Sequence, residues 1–193
     1  MTPDRLTSDR LTIELAIEPY WQDSFVQLFE LCRASADEGV VILAESQTRQ
    51  TNLHLAQAAL AAMAVPATTV TVPGKPAAAG PVIRSTGASN ALTGEDKVVA
   101  QLQAADLVID LTVEGLMHAP QTGSILKAGT RIMTISNEHP DILSRLRPDP
   151  AIKDMVKGAV AACRAADIMT VTSPAGTNLT VAMADSATVG VWG

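Results

Sequence analysis

Length, composition and charge exclude several classes of protein. The chain has 193 residues, of which 47% are hydrophobic, 18% charged and 3% aromatic. This composition suits one globular domain, or one domain and the start of another, and not a disordered chain. The net charge of −6 and the lack of a long basic stretch argue against nucleic acid as a partner. No run of about 18 apolar residues predicts a membrane-spanning helix, and the first ten residues lack the apolar stretch of a secretory signal, so we expect a cytoplasmic protein.

Predicted strands and helices alternate along the first part of the chain. Leu11 to Ile17 alternates apolar and polar residues like a half-buried strand. Apolar residues recur at helical spacing from Trp21 to Cys32 and predict a helix with one buried face. Val40 to Ala44 is typical of a strand that is buried on both faces. A helix capped by Thr51 or Asn52 follows, and then a β-branched strand from Thr68 to Val72.

Pro73 to Gly94 is the least regular segment, because proline and glycine recur along it. A loop of this length in a compact domain is often functional. The alternative is a solvated excursion without a role. The sequence leaves both interpretations open.

Regular elements return after Gly94. The pattern predicts, in order, a helix over Glu95 to Ala104, a strand over Leu107 to Ile109, a loop over Val113 to Gly123, a strand over Arg131 to Ser136, helices over Asp141 to Arg147 and Ile152 to Ala166, and a last parallel strand over Ile168 to Thr172. Such alternation predicts an α/β fold, in which a mainly parallel sheet carries helices on both faces.

The last segment departs from this alternation. Thr177 to Met183 and Ala187 to Trp192 read as two strands of an antiparallel hairpin that is joined by a turn at Asp185. We therefore expect an amino-terminal α/β domain over residues 1–172 and the start of a second, antiparallel β domain over residues 173–193. Because chain termini are usually polar, the apolar end of the sequence leads us to expect a fragment or one chain of a split protein.

Polar residues follow several predicted strands. They are Glu45, Ser46, Asp110, Asn137, Glu138 and His139. Ligands of doubly wound folds collect at the carboxyl ends of strands, so these side chains are expected to face one crevice. His118, in the loop after the Asp110 strand, belongs to the same set, and two histidines and a carboxylate from this set can form a metal site. The competing interpretation of Glu138 and His139 is helix capping, because they directly precede Pro140.

His118 is the strongest candidate for a catalytic residue. It lies in a loop after a buried strand, with apolar residues before it and polar residues after it. A neutral imidazole beside apolar groups can act as a base near neutral pH. His54 lies on a predicted helix and is expected to be a surface or core residue. The two cysteines, Cys32 and Cys163, are expected to be small core hydrophobes and not a disulfide.

Several segments resemble the amino-terminal half of the 2,5-dihydroxypyridine 5,6-dioxygenases, within the wider aminopeptidase T-like metalloenzyme superfamily. The similar segments are Ala91 to Gly94, Ala104 to Asp110, His118, Ile125 to Ile132, and Gly176 to Thr180. Asn178 departs from the aspartate that is usual in the last motif, the loop before His118 is longer than expected, and Leu11 to Ile17 is an additional segment.

This resemblance implies a site and a cofactor. His118 matches the proposed catalytic base, and Met117 matches an apolar neighbour that contacts the substrate. Family members are about twice as long, and their Fe(II) is bound in the carboxy-terminal half. The resemblance thus implies no metal ligand in this chain. It makes residues 173–193 the start of a truncated or separate metal-binding β-rich domain, whose partner is the carboxy-terminal half of the same enzyme.

Three functions remain open at this stage. The first is a ring-cleaving dioxygenase that acts on a small substituted aromatic molecule. The second is a hydrolase of the same superfamily, either an aromatic-amine aminohydrolase or an aminopeptidase acting on a peptide-like substrate, with Mn, Zn or Fe(II). The third is a non-catalytic binding or assembly module. By analogy with relatives, we also expect a homo-oligomer.

Overall fold

The computed structural model describes residues 17–74 and 87–191. The predicted strand from Leu11 to Ile17 lies outside the described residues except for Ile17, as does much of the long loop from Pro73 to Gly94. The described elements are α1 (Pro19–Leu31), β1 (Val40–Glu45), α2 (Gln50–Ala62), β2 (Ala67–Val72), α3 (Asp96–Gln103), β3 (Leu107–Asp110), α4 (Thr122–Lys127), β4 (Arg131–Thr134), α5 (Pro140–Arg145), α6 (Ile152–Ala165), β5 (Ile168–Thr172) and β6 (Asn178–Ala182).

Four strands form a parallel sheet in the order β2-β1-β3-β4. Val40 of β1 pairs with Ala67 on one side and with Leu107 on the other, and Leu107 pairs in turn with Arg131. The chain therefore leaves β1 first toward β2 and then returns to place β3 on the opposite side. The boundary between β1 and β3 is the point where the strand order reverses, which is where ligands bind in such sheets.

The central strand β1 is buried along its whole length. Because successive strand residues face opposite ways, Val40 and Ile42 pack into a core with α1, α2 and α5. Val41 and Leu43 pack into a second core with α3 and α4. The prediction of a parallel α/β fold with helices on both faces is confirmed. The short helix α4 was not predicted, since its six residues carry little helical periodicity.

Helix α1 carries the few aromatic residues of the core. Proline at its first turn suits a helix start, because that position needs no backbone N–H donor. Phe25 and Phe29 lie one turn apart, are fully buried, and contact each other edge to face with ring centroids 6.0 Å apart. Cys32 follows at the helix end and is half-buried with a free thiol.

Residues 147–193 form a separate compact unit, and the first unit ends at Leu146. Within this second unit, β5 and β6 form a two-stranded antiparallel sheet, in which Ile168 pairs with Ala182 and Thr172 with Asn178. The prediction that Ile168 to Thr172 is a parallel strand is therefore wrong, although a separate antiparallel sheet was expected. The division into compact units precedes α6, and the domain boundary after Thr172 stays a prediction.

The hairpin turn explains this correction. The Ser173 N–H donates to the Thr177 carbonyl, the Gly176 N–H donates to the Ser173 carbonyl, and Gly176 has a positive φ of 100°. Glycine adopts that conformation without strain. A β-branched run predicts a strand but does not predict which strand it pairs with. Here the tight turn brings β6 back alongside β5. Residues 187–191, predicted as a second hairpin strand, are not in a strand.

None of the helices in residues 17–74 and 87–191 combines the length and the apolarity that a bilayer crossing requires.

The aromatic pair in α1 provides a test of the first core. Phe29→Ala removes a fully buried ring and should lower the free energy of unfolding by about 3–5 kcal/mol. Leu31→Ala is the matched control, because Leu31 lies on the same helix but is 42% exposed, and it should cost well under half as much. Urea unfolding followed by circular dichroism measures both. Equal losses would contradict the assignment of this core.

Candidate functional site

Two buried carboxyl groups mark the carboxyl ends of the central strands. Glu45 is the last residue of β1, and Asp110 is the last residue of β3. The strands are neighbours, with Leu43 paired to Asp110. Both residues were predicted to face an open crevice. The structure instead turns them into the fold, where both accept hydrogen bonds from the loop that follows β3.

Asp110 holds this loop at two points. One oxygen, Oδ1, accepts the backbone N–H of Thr112 at 3.0 Å and its hydroxyl at 2.6 Å. The other, Oδ2, accepts the backbone N–H of Leu116 at 2.7 Å. Burial raises the pKa of Asp110 above its ordinary value of 3.8, and the hydrogen bonds from Thr112, Leu116 and the Thr134 side chain oppose that rise. These contacts use the carboxyl group as an acceptor, so the geometry suits its ionised form.

The turn after β1 contacts the same loop from the neighbouring strand. Glu45 Oε1 accepts the backbone N–H of Val113. The Thr48 hydroxyl donates to the Leu111 carbonyl at 2.8 Å and accepts the Glu45 backbone N–H at 2.8 Å. The ends of β1 and β3 are thus connected through side chains as well as through the sheet.

Met117 and His118 lie directly beyond this buried part of the loop. Leu116 is fully buried, whereas Met117 is 65% exposed and His118 is also exposed. The loop therefore presents the two predicted site residues side by side at the carboxyl edge of the sheet.

Gly87 contacts the loop from its other side. The Gly87 carbonyl accepts the His118 backbone N–H, and the Gly87 N–H donates to the Glu114 carbonyl at 2.6 Å. Ser89 adds a further backbone hydrogen bond, to the Gly115 carbonyl at 2.8 Å. Gly87 has a positive φ of 71°, and a Cβ there would lie 3.1 Å from His118 Cδ2 and 3.3 Å from Met117 Cβ.

Gly87 was not singled out from the sequence. It is one of several glycines in the irregular segment from Pro73 to Gly94, and no local pattern distinguishes it. Only the folded chain shows which glycine approaches the histidine.

The polar residues after β4 have structural roles. Asn137 Oδ1 accepts the Arg49 backbone N–H at 3.0 Å, and the Glu138 carbonyl accepts from Asn52 Nδ2 at 2.8 Å. His139 caps α5, because its Nδ1 accepts the backbone N–H of Asp141 at 3.2 Å. The capping interpretation of His139 is therefore the one that the contacts favour.

Two other predicted candidates form no hydrogen bond with Met117 or His118 in the described part of the chain. Ser46 Oγ accepts the Gly74 backbone N–H at 3.0 Å, and His54 is exposed on α2. No group of three or more His, Cys, Asp or Glu side chains within residues 17–74 and 87–191 could hold a metal ion. Two concavities of the first unit surround Pro66 and Ala67 at the amino end of β2.

Comparison with known proteins identifies the family. The family model described as "NicX: 2,5-dihydroxypyridine 5,6-dioxygenase" matches residues 20–193. The chain belongs to this family. The resemblance seen in the sequence motifs is thus confirmed over nearly the whole chain.

A curated protein and a solved structure that match this chain both come from Pseudomonas putida KT2440. A curated 2,5-dihydroxypyridine 5,6-dioxygenase is 30% identical over 156 residues, which cover 80% of this chain and 44% of the relative. A solved structure of 2,5-dihydroxypyridine dioxygenase from strain KT2440 has a TM-score of 0.67 at 27% identity and covers 84% of this chain and 46% of that one. The chain therefore spans about half the length of the relatives that it matches.

The Gly87 contact provides a test of the site geometry. Gly87→Ala should displace the His118 ring, because the new Cβ meets both site residues and the positive φ disfavours alanine. The ring signals of His118 in a ¹H–¹³C NMR spectrum should shift. Gly94→Ala is the matched control: Gly94 also has a positive φ, of 80°, but a Cβ there meets nothing within 4 Å. His118 signals that respond equally to both variants, or to neither, would argue against this contact.

Proposed function

We propose that this chain is the amino-terminal part of a metal-dependent, ring-cleaving dioxygenase acting on small substituted aromatics of the 2,5-dihydroxypyridine type. One observation carries the proposal: a chain of the dioxygenase family presents exposed Met117 and His118 where its strand order reverses. The name that the curated protein and the solved structure share supports the choice of reaction and substrate.

His118 serves as the base in this proposal. Its imidazole is exposed while its backbone is held by Gly87, so the ring is accessible to a bound substrate. A neutral imidazole accepts a proton from a ring hydroxyl within hydrogen-bonding distance. Met117 lies beside it and is largely exposed. Its flexible thioether provides an apolar contact for the face or edge of an aromatic ring.

The metal is proposed to be Fe(II), with Mn or Zn as alternatives, bound by residues beyond this chain. The described residues do not fit a metal site, since they bring together no suitable group of ligands. The proposed partner that supplies the ligands is the carboxy-terminal half of the same enzyme, in a cytoplasmic homo-oligomer.

The second unit supports such a partner. Within its sheet, the cross-strand pairs Met169–Val181 and Val171–Leu179 place four apolar side chains on one face. Met169, Val171 and Leu179 are 37–50% exposed. A lone two-stranded sheet is marginal in water, and an exposed apolar face is typical of a surface that packs against another segment.

The natively produced protein tests the proposed reaction. We expect it to consume O₂ and bleach the ring absorbance when 2,5-dihydroxypyridine is added. Exhaustive chelation should abolish the activity, and Fe(II) should restore it. Intact mass and metal analysis on the same sample would show whether one metal accompanies each chain. Ammonia release from an aminated aromatic without O₂ uptake would indicate a hydrolase instead.

Substitution of His118 tests its role as a base. His118→Ala should lower kcat by about 10²–10⁴-fold, as is usual when a general base is removed. His54→Ala is the matched control, because it removes another exposed histidine from the same unit and should leave kcat unchanged. Loss of ring absorbance at saturating substrate measures both. A His118→Ala enzyme with the wild-type kcat would rule out the base role.

A further inference from the structure

The loop between β3 and His118 is almost entirely buried. Leu111, Thr112, Val113, Gly115 and Leu116 are buried, and Glu114 is half-buried. Buried backbone N–H groups must find acceptors, since an unsatisfied one costs about 1–3 kcal/mol. The loop's course is therefore determined by the acceptors that its amides reach.

Three of these amides end on side-chain carboxyl groups. The N–H groups of Thr112 and Leu116 reach Asp110, and the N–H of Val113 reaches Glu45. Hydrogen bonds to a charged acceptor are stronger than those between neutral groups. Asp110 thus binds two loop amides that are four residues apart, and it links the beginning of the loop to its end. His118 lies two residues beyond the second of these bonds.

We propose that Asp110 is a positioning residue for the reaction at His118: its two carboxyl oxygens close the loop and so set where Met117 and His118 stand. Glu45 supports the same loop from β1 through one oxygen. Neither residue is proposed to touch the substrate. The proposal rests on the proposed function for its kinetic consequence, but its structural consequence is independent of that function.

The geometry distinguishes the two carboxyl groups. Asp110 uses both oxygens, one for each end of the loop. An asparagine has the same shape but only one acceptor oxygen, so in either orientation it leaves the N–H of Thr112 or Leu116 facing an NH₂ group. Glu45 contacts the loop through Oε1 alone, and a glutamine oxygen can keep that contact. Asp110→Asn should therefore release the loop, while Glu45→Gln, the matched control, should not.

The experiment compares these two variants in the natively produced protein. For Asp110→Asn we expect amide hydrogen exchange at Leu116 or Thr112 to accelerate at least about tenfold, and the His118 ring signals to shift or broaden. We expect kcat to fall about 100-fold, since a displacement of about 1 Å has that effect, with KM little changed. Glu45→Gln should stay within about threefold of the wild type in every measurement.

Unaltered His118 signals in a folded Asp110→Asn protein would overturn the proposal. Equal effects of Asp110→Asn and Glu45→Gln would also overturn it, because loss of any buried charge would then explain the result. If the wild type cleaves no ring, the proposed function fails, and the NMR comparison still decides the positioning role.

A milder variant serves if Asp110→Asn does not fold. Thr112→Val removes the hydroxyl donor to Asp110 and keeps both amide bonds. It should shift the His118 signals and lower kcat about three- to tenfold, the size expected from the loss of one typical hydrogen bond. Thr112→Ser keeps the hydroxyl and should behave as the wild type. No difference between the two variants would contradict the positioning role.

Discussion

The carboxyl group of Asp110 is the constraint on which the described site depends. A carboxyl group without solvent at the end of a parallel strand is costly unless donors surround it. Here the donors include the amides of Thr112 and Leu116, the hydroxyl of Thr112 and the side chain of Thr134. The same bonds that satisfy the carboxyl group also satisfy buried loop amides. The carboxyl group and the loop amides therefore depend on each other. If the loop rearranged, a buried polar group would lose its hydrogen bond.

This arrangement explains how a rigid sheet holds the two exposed residues of the candidate site. The strands β1 and β3 are paired in the middle of the sheet and buried on both faces. At the carboxyl ends of these strands, the side chains of Asp110 and Glu45 fix the loop through hydrogen bonds to its amides. Met117 and His118 are then the first exposed residues beyond the held segment. Positioning a reactive side chain from a well-packed scaffold in this way is a general requirement of catalysis.

The two compact units contribute different surfaces to the proposed enzyme. The first, which ends at Leu146, contains both cores and the His118 loop. The second has no buried residue in α6 and exposes apolar residues of β5 and β6. The chain spans about half the length of its relatives, and in the proposed enzyme this surface would pack against the carboxy-terminal half. Oligomer contacts are the other candidate use.

The sequence by itself determined the fold class and the family. Continuous apolar strands such as Val40 to Ala44, separated by amphipathic helices, leave few alternatives to a covered parallel sheet. Short motifs before and after His118 carried the family resemblance, and His118 itself stands exposed in the folded chain. These features are local in the sequence, so they could be recognised without knowing which distant segments meet.

Only the tertiary structure decided which strand β5 pairs with and which residues Asp110, Glu45 and Gly87 contact. The strand Ile168–Thr172 has the composition of a parallel strand, yet a tight turn at Gly176 pairs it antiparallel with β6. The sequence predicts that Asp110 and Glu45 lie at strand ends. It does not predict that their carboxyl groups face loop amides and not a crevice. Gly87 is separated from His118 by 31 positions, and no local signal links the two. Such contacts depend on how distant segments meet, and hydrophobic periodicity carries no information about that.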